Sequence, residues 1–311
     1  MTTGTTGDRN PVGPAGSTGP VDAVDAVRAL DPDVAPRAAV RRAGGRGRAW
    51  VLVALIAAAV VVVAPLAVLV LGTFTSRTGV WWPLELGFAQ YRYAFDTVDL
   101  LRYATNSLVI GLVYTVPVVF SSLGAGYAFA RLRARGSTLL FTVVVATMLV
   151  PLFVYLIPLF IVYSRLGLTN TVVPWLLWGL AGNPFYIFLF RQFFDAFPAE
   201  LEEAAMLDGL TRFGIIRRIV IPNSHAIIAT VTILAFTNVW GEVLLQSVLL
   251  NRDSAATLSV RLSAGVLDPT GNAIVIGPTL AAILLYVLPP VIVFVFFQRY
   301  IIRGVATSGL K

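Results

Sequence analysis

The chain has 311 residues, of which 57% are hydrophobic and 13% are charged, and its formal net charge is +7. Soluble globular domains carry about 25% charged residues. The composition therefore indicates an integral membrane protein rather than a soluble domain. Arginines beside membrane-spanning segments explain the positive charge, so we expect no binding of nucleic acid.

Residue types that catalytic and metal sites need are scarce in this sequence. It contains no cysteine, one histidine (His225) and one lysine (Lys311, the last residue). These counts exclude a disulfide, a thiolate or clustered-histidine metal site, and a phosphate-binding loop with its lysine. We therefore expect no catalytic residue, no metal site and no ATP-binding loop in this chain.

The first 48 residues differ in composition from the rest of the chain. They are rich in Gly, Pro, Thr, Ala, Asp and Arg and show no apolar periodicity. Such a segment cannot bury enough apolar surface to offset the entropy cost of ordering. We predict a disordered cytoplasmic tail over residues 1–48, followed by a membrane domain over residues 49–311. A cleaved signal peptide is not expected, because the first apolar run begins only near Ala49 and is too long.

Windows of about 20 residues without Asp, Glu, Lys or Arg, the length that a bilayer span needs, occur at six places. In hydrocarbon each backbone amide must be satisfied within its own segment, so the spans are predicted to be helices. The fold class is therefore an all-α integral membrane protein with six transmembrane helices. Their approximate bounds are 50–72, 104–130, 138–161, 172–190, 222–248 and 275–298. Kinks are expected at prolines inside them, namely Pro65, Pro117, Pro151, Pro158, Pro289 and Pro290.

Arginines are concentrated at one end of the predicted spans. They cluster in residues 37–48 before the first span, in 131–135 after the second, in 191–218 after the fourth and in 299–303 after the sixth. The positive-inside rule then places both termini and the loop 191–221 in the cytoplasm. An even number of spans agrees with this orientation.

Residues 198–222 form a polar interruption between the fourth and fifth predicted spans. Pro198 suits the start of a helix, and the residues after it include three glutamates near the positive end of the helix dipole. Gly209 after Asp208 predicts a helix end, and a second helix is expected from about Leu210 to Pro222. The interruption is therefore predicted to be a helix–turn–helix.

The first helix of this loop is expected to have one small apolar face. Leu201, Ala204 and Ala205 are spaced i, i+3 and i+4, which places them on the same side. A simple interfacial connection is one interpretation of the loop. However, three glutamates would be repelled by an anionic leaflet, so a protein partner with a basic groove fits better.

The loop resembles the EAA motif of bacterial ABC importer permeases, which has the form E-A-A-x3-G-x9-I-x-L-P. Ile221 stands where the family has leucine, and Asp208 precedes the matched glycine. The matching positions are Glu203, Ala204, Ala205, Gly209, Ile219 and Pro222.

The resemblance extends over most of residues 50–311 and points to the carbohydrate-uptake permeases of the maltose-transporter type, specifically to the shorter six-span subunit. The stretches that carry it are Asn106-Ser107, Ala128 to Gly136 (AFARLRARG), Gly167 to Thr171 (GLTNT), Phe188 to Phe194 (FLFRQFF) and the C-terminal QRYIIRGVATSGLK. The chain departs from the family where residues 240–243 read Trp-Gly-Glu-Val instead of Trp-Asn-Glu-Phe, and where Ala226 replaces a proline.

This resemblance implies a type I ABC importer transmembrane domain in a multi-pass protein of the bacterial plasma membrane. The chain would form half of the pathway for a di- or oligosaccharide and would carry a cytoplasmic coupling helix between spans 4 and 5. The implied partners are a second permease subunit, two copies of a cytoplasmic ATPase subunit that bind ATP and Mg²⁺, an extracytoplasmic substrate-binding protein and membrane lipid. The implied ATPase-coupling residues are Glu203, Ala204, Ala205, Asp208, Gly209, Ile219 and Pro222.

Polar residues inside a span are costly unless they face a cavity or a neighbouring helix. The fifth predicted span carries four such candidates for the substrate pathway, namely Thr237, Asn238, Trp240 and Glu242. We expect them to line one surface, since Asn238 and Glu242 are one helical turn apart. Hydrogen bonding between helices of the permease pair is the alternative, and the sequence leaves both open.

Other classes of membrane protein are alternatives to a carbohydrate permease. An ABC permease for polyamine, phosphate or an amino acid is the nearest alternative, and the GLTNT and C-terminal stretches favour carbohydrate over it. A secondary transporter would be expected to show inverted repeats or intramembrane charges for ion coupling, and neither is evident in the sequence. An integral-membrane enzyme would need a catalytic constellation that the residue counts exclude.

Overall fold

The computed structural model describes residues 45–74, 87–132 and 134–308, with side chains over 50–74, 87–132 and 134–302. In this part of the chain the regular elements are helices, together with an isolated antiparallel bridge between Leu267 and Ile274. The chain divides into two compact units at Val63 and Ala64. The described part of the first unit is the beginning of one helix, and the second unit contains the remaining elements.

The helices are numbered here in chain order. The first seven are α1 (Gly45–Gly72), α2 (Ala89–Thr97), α3 (Leu100–Arg131), α4 (Ser137–Ala146), α5 (Leu152–Arg165), α6 (Val173–Ala181) and α7 (Pro184–Asp195). The remaining six are α8 (Ala199–Leu207), α9 (Arg212–Asn223), α10 (His225–Gly241), α11 (Leu244–Leu249), α12 (Leu258–Ser263) and α13 (Ile276–Ser308). Short 3₁₀ turns follow α4 at Thr147–Leu149 and precede α12 at Asp253–Ala255.

Four segments are long and apolar enough to cross a membrane, namely Trp50–Gly72, Leu100–Arg131, Val173–Asp195 and Ile276–Ile302. Two further helix pairs pass the same test but are bent, by 96° between Ser137–Leu149 and Leu152–Arg165 and by 79° between α9 and α10. The described residues thus contain four candidate spans, or up to six if each bent pair is one span. The predicted count of six stays a prediction.

Two of the predicted spans differ in shape from straight helices. The segment predicted over 138–161 breaks at Val150, whose extended backbone (ψ 112°) precedes Pro151, because proline disfavours a helical conformation in the residue before it. Pro151 is thus the site of the sharp kink, whereas α1, α3, α5 and α13 continue through the prolines within them. The prediction of one helix over 222–248 is wrong, since the chain bends at Ser224 and α10 ends at Gly241.

The predicted boundary of the tail is also shifted. Helix α1 begins at Gly45, so the last four residues of the predicted disordered segment are helical. Residues 1–44, on which the rest of that prediction falls, lie outside the described residues.

Helix α3 is the central element of the second unit, since it packs against α6, α7 and α10. Its buried residues recur three or four positions apart, as the helical period requires. They include Tyr103, Ser107, Ile110, Tyr114, Val118, Ser122, Gly126 and Tyr127. One cluster joins this face to Phe190 and Phe194 of α7, both completely buried. A second cluster joins Tyr103 to Phe236 and Trp240 of α10.

A glycine sets the closest approach of α3 to α7. A Cβ atom built on Gly126 would lie 2.5 Å from Cβ of Phe190 and 3.0 Å from the backbone oxygen of Ile187. Small residues of this kind let membrane helices pack with their backbones close together. By contrast, a Cβ on Gly124, two residues away on the exposed side of α3, meets nothing within 4 Å.

The substitution Gly126→Ala is therefore expected to lower stability, because the α7 backbone cannot move away without disturbing the buried cluster. Overpacking of this kind costs about 1–3 kcal/mol. The midpoint of thermal unfolding in detergent measures the effect, with Gly124→Ala as the matched control that keeps or raises the midpoint. Equal midpoints for the two variants would contradict the proposed role of Gly126.

Candidate functional site

The polar loop between α7 and α10 folds as the predicted helix–turn–helix. Pro198 immediately precedes α8, and Gly209 has a left-handed backbone (φ 82°) just after its end. The amide of Leu210 donates to the carbonyl oxygen of Ala205, which satisfies a carbonyl left free at the helix end. The hydroxyl oxygen of Thr211 then accepts from the amide of Gly214 and caps α9.

The predicted apolar face of α8 is only partly covered by the rest of this chain. Ala205 is buried, whereas Leu201 is 48% exposed and Ala204 is exposed too. The other buried residue of this helix is Glu202, which is only 7% exposed. Leu201 and Ala204 are therefore left free to contact a partner, and the predicted role of the apolar face stays a prediction.

Glu202 is held by the last turn of α3. Tyr127 donates its hydroxyl to Oε2 of Glu202 at 2.7 Å, and Nε of Arg131 donates to Oε1 at 2.9 Å. The guanidinium of Arg131 also donates through Nη2 to the carbonyl oxygen of Phe197, two residues before α8. Buried carboxylates are found with such charge-assisted partners because an unpaired one is costly. Sequence reasoning missed this contact, since Glu202 lies outside the motif.

Most of the motif residues lie on the surface of the loop. Exposed positions are Glu203, Ala204, Asp208, Gly209 and Pro222, whereas Ile219 is half-buried and Ala205 is buried. Two large apolar side chains project beside them, with Leu207 90% and Phe213 73% exposed. The exposed side of the loop therefore carries both charged and large apolar side chains.

Helix α9 leads from this surface back to α10. Its middle, Ile216–Val220, is a π-helical turn, and Arg217 and Arg218 within it are exposed. At the bend into α10, Asn223 donates its amide to the carbonyl oxygen of Ile219, and Ser224 donates its hydroxyl to that of Val220. These two side chains satisfy carbonyl groups that the 79° bend leaves without a helical partner.

A cavity of about 390 Å³ lies between α3, α5, α6, α10 and α11. Four aromatic rings line it, and three polar side chains reach it from the ends of helices. The aromatic residues are Tyr114, Tyr155, Trp175 and Trp178, and the polar residues are Asn183, Asn238 and Glu242. Sequence reasoning missed all of these except Asn238 and Glu242. The Asn183-Pro184 dipeptide was the available signal, because Asn-Pro favours a helix break.

The four predicted pathway residues do not share one surface. Asn238 and Glu242 line the cavity, while Thr237 is exposed outside it. Trp240 is 3% exposed, stacks on Phe236 and Tyr286, and donates its indole N–H to the carbonyl oxygen of Tyr286. The expected position of Trp240 is therefore wrong, because two residues along a helix turn the side chain by about 200° away from Asn238.

Glu242 lies between the end of α10 and the start of α11. Its two carboxylate oxygens accept from the amides of Leu245 and Gln246, each at 2.8 Å, and so cap the N-terminus of α11. Gln246 is buried at 1% exposure and donates to the carbonyl oxygen of Val239, while its own oxygen accepts from Thr257 and Ser259. The break after α10 is thus stabilised by side-chain hydrogen bonds and forms part of the cavity wall.

The beginning of α3 is tied to the segment before α12 by a second set of polar contacts. Asp253 accepts from Tyr103 and from Arg102, both at 2.6 Å. The hydrogen bond from the Tyr103 hydroxyl and the nearby guanidinium of Arg102 hold the pKa of Asp253 below its usual range. Asn106 adds hydrogen bonds from its amide to the carbonyl oxygens of Ser254 and Ala256.

The comparisons with known proteins agree with this architecture. The family described as "Binding-protein-dependent transport system inner membrane component" matches residues 119–307. The chain is 32% identical over 237 residues to the arabinooligosaccharides transport system permease protein AraQ of Bacillus subtilis (strain 168), covering 74% of this chain and 80% of that protein. It is 32% identical over 216 residues to the lactose transport system permease protein LacG of Rhizobium radiobacter, covering 69% and 77%.

A solved structure has a similar fold. It is described as the crystal structure of a bacterial ABC transporter involved in the import of the acidic polysaccharide alginate, and a chain of it matches with a TM-score of 0.69 and 25% identity. The match covers 82% of this chain and 96% of that chain.

The helices, the loop and the cavity define the membrane permease component of an ABC transporter, a transport subunit rather than an enzyme. The chain belongs to the family of inner membrane components of binding-protein-dependent transport systems. It is therefore a multi-pass membrane protein, and the predicted resemblance to ABC importer permeases is confirmed.

The cap at Glu242 generates a stability prediction. Glu242→Ala leaves the amides of Leu245 and Gln246 without an acceptor, and loss of such a cap costs about 0.5–2 kcal/mol. We expect hydrogen exchange at these two amides to accelerate, as measured by mass spectrometry in detergent. Thr237→Ala, at an exposed position of the same helix, is the control and leaves exchange unchanged. Unchanged protection in Glu242→Ala would rule out the cap.

Proposed function

We propose that the chain is a permease subunit of an ATP-driven importer for a di- or oligosaccharide, and that it forms half of the translocation pathway. The observation that carries this proposal is the cavity of about 390 Å³ with four aromatic rings and three amide or carboxylate side chains in its wall. Aromatic rings offer flat apolar faces to the carbon–hydrogen faces of a sugar, while amides and carboxylates hydrogen-bond its hydroxyl groups.

The names of the relatives support a sugar as the substrate. One names arabinooligosaccharides and another names lactose. Phosphate, one of the alternative solutes, fits the cavity less well, since no Lys or Arg is present among its lining residues in the described part of the chain. A polyamine would need free carboxylates, whereas the carboxylate of Glu242 already accepts two backbone amides.

The polar loop supports a coupling role in the same proposal. Glu203 and Asp208 present carboxylates on its exposed side, and Leu207 and Phe213 project beside them. A cytoplasmic ATPase with a basic groove and an apolar pocket is a matching partner for this surface. The arginines of α9 favour a cytoplasmic position for the loop and for both termini.

The proposed mechanism is the one that the resemblance to ABC importer permeases implies. A second permease subunit supplies the other half of the pathway, and an external substrate-binding protein delivers the sugar. Two ATPase subunits bind ATP with Mg²⁺ and close together, which draws the two permease loops towards each other. The cavity then changes access from one side of the membrane to the other, because the helices attached to the loops move as rigid bodies. This chain contributes no bond chemistry.

The cavity assignment predicts a substrate effect for Asn238→Ala. Removing a side-chain amide that hydrogen-bonds a sugar hydroxyl is expected to raise the transport KM roughly tenfold, the equivalent of about 1.4 kcal/mol. The measurement is uptake of labelled lactose and arabino-oligosaccharides by proteoliposomes that contain the whole transporter. Thr237→Ala, one residue away and outside the cavity, keeps the parental KM. An unchanged KM in Asn238→Ala for every transported sugar would refute the assignment.

The coupling assignment predicts loss of uptake in Gly209→Pro. Proline fixes φ near −65°, whereas Gly209 has φ 82°, so the turn between α8 and α9 cannot form. Membrane insertion is expected to persist, because the turn lies outside the spans. ATP-dependent uptake in proteoliposomes is expected to be lost.

The matched control for this variant is Gly136→Pro. Gly136 has nearly the same conformation (φ 81°) in the turn between α3 and α4, and a Cβ there meets nothing within 4 Å. This control carries equal backbone strain away from the loop and is expected to retain uptake. Normal ATP-driven uptake by Gly209→Pro would contradict the coupling role.

A further inference from the structure

Two adjacent glutamates of α8 differ in burial. Glu203 is exposed and belongs to the surface assigned above to the ATPase, while Glu202 points into the protein. The side chain of Glu202 is 10% exposed and that of its partner Arg131 is 18% exposed. The pair is therefore screened much less by solvent than a surface ion pair.

The attachment of α8 to the rest of the chain depends on this polar contact. Glu202 and Ala205 are the buried residues of α8, while Leu201 is 48% and Met206 is 49% exposed. Removing one partner of a buried, hydrogen-bonded ion pair is strongly destabilising, because the other charge is then left buried and unpaired. The carboxylate of Glu202 thus fixes the orientation of α8 in addition to the apolar contacts of the helix.

The contact has defined geometry as well as charge. Tyr127 and Arg131 are four residues apart on α3, so their side chains lie on the same face. Each donates a hydrogen bond to a different carboxylate oxygen of Glu202. Arg131 also holds the carbonyl oxygen of Phe197, so one guanidinium binds α8 and the chain just before it. Multiple charge-assisted hydrogen bonds of this kind fix direction, whereas a single one allows rotation.

Helix α3 extends from this contact to the cavity. Its helical structure is continuous over Leu100–Arg131, and Tyr114 in its middle lines the cavity. Seventeen residues separate Tyr114 from Arg131, a distance of about 25 Å along a helix. A rigid helix of this length transmits a displacement of one end to the other.

We propose that Glu202 is the positioning residue that joins the coupling helix to α3, with Tyr127 and Arg131 as its partners on that helix. The proposal rests on the coupling role assigned to the loop under the proposed function. In it, Glu203 contacts the ATPase, and Glu202 passes the resulting movement to the cavity wall. Loss of the Glu202 contact leaves the ATPase bound to a helix that moves without α3.

The test compares Glu202→Gln with Glu203→Gln in the complete transporter. Both variants remove one charge from adjacent positions, so they differ only in which side of α8 changes. Three quantities are measured, namely the amount of ATPase that co-purifies, uptake per ATP hydrolysed in proteoliposomes, and the distance between spin labels on α8 and α3. Because the chain has no cysteine, labels can be placed at introduced Glu200→Cys and Leu112→Cys, both exposed positions.

We expect Glu202→Gln to retain parental amounts of ATPase, to widen the distance distribution, and to lower uptake per ATP by roughly tenfold, a typical size for coupling between sites. Glu203→Gln is expected to keep a narrow distribution and to co-purify less ATPase. Tyr127→Phe keeps the ring and removes only the hydroxyl, so its distance distribution and its uptake per ATP are expected to lie between those of the parent and of Glu202→Gln. This variant replaces Glu202→Gln in the test if the charge change impairs folding.

The outcomes separate this proposal from the one it rests on. In one outcome, Glu202→Gln has a narrow distance distribution and parental uptake per ATP, while Glu203→Gln loses ATPase. This outcome overturns the role of Glu202 but supports the coupling role of the loop. A widened distribution with parental uptake per ATP also overturns the role of Glu202. Parental amounts of ATPase in Glu203→Gln, together with normal uptake in Gly209→Pro, would overturn the coupling role of the loop itself.

A double-substitution cycle tests whether the ion pair acts as a unit. If Glu202 acts through Arg131, the Glu202→Gln and Arg131→Gln double variant loses no more uptake per ATP than either single variant. Additive losses would overturn the pairing.

Discussion

In hydrocarbon, a backbone N–H or carbonyl group that leaves a helix must find a partner within the protein. The helix breaks of this chain meet that requirement with nearby side chains. At Gly182, between α6 and α7, the amide of Asn183 donates to the hydroxyl oxygen of Ser122, and Ser121 donates to the carbonyl oxygen of Gly179. After α10, the carboxylate of Glu242 accepts the two amides at the start of α11.

These breaks meet at one place. Leu152 follows the break between α4 and α5, Gly182 and Asn183 form the break between α6 and α7, and Glu242 forms the break after α10. All four residues line the cavity of about 390 Å³. Irregular backbone at membrane depth is tolerated where it is buried in protein or lines a cavity, and discontinuous helices often carry the polar groups of a binding site. The polar wall of the cavity is thus a direct consequence of where the helices stop.

Helix α3 connects this wall to the loop that bears the EAA motif. Its buried face packs against α6, α7 and α10, so three of the helices that flank the breaks share one support. Its last turn holds α8 through Glu202, and its middle places Tyr114 in the cavity. The separation of a rigid support from a protruding loop is suited to a protein whose function requires movement between two discrete arrangements.

The sequence predicted the features that depend on local composition. Apolar windows located the segments later found as helices, and Gly209 after Asp208 identified the turn that has a left-handed glycine. The features it missed depend on tertiary contacts. The burial of Glu202 requires Arg131 and Tyr127, which lie about 70 residues earlier in the chain, and the position of Trp240 depends on Tyr286. Glu242 was placed inside a straight span because its role as a cap is visible only once α11 is known to start two residues later.

The most direct test of the account is a density map of the assembled transporter with a transported oligosaccharide trapped inside it by a non-hydrolysable ATP analogue. The account predicts sugar density in contact with Asn238 and with at least one ring among Tyr114, Tyr155, Trp175 and Trp178. Sugar density elsewhere in the pathway, with this cavity filled by side chains or lipid, would contradict it.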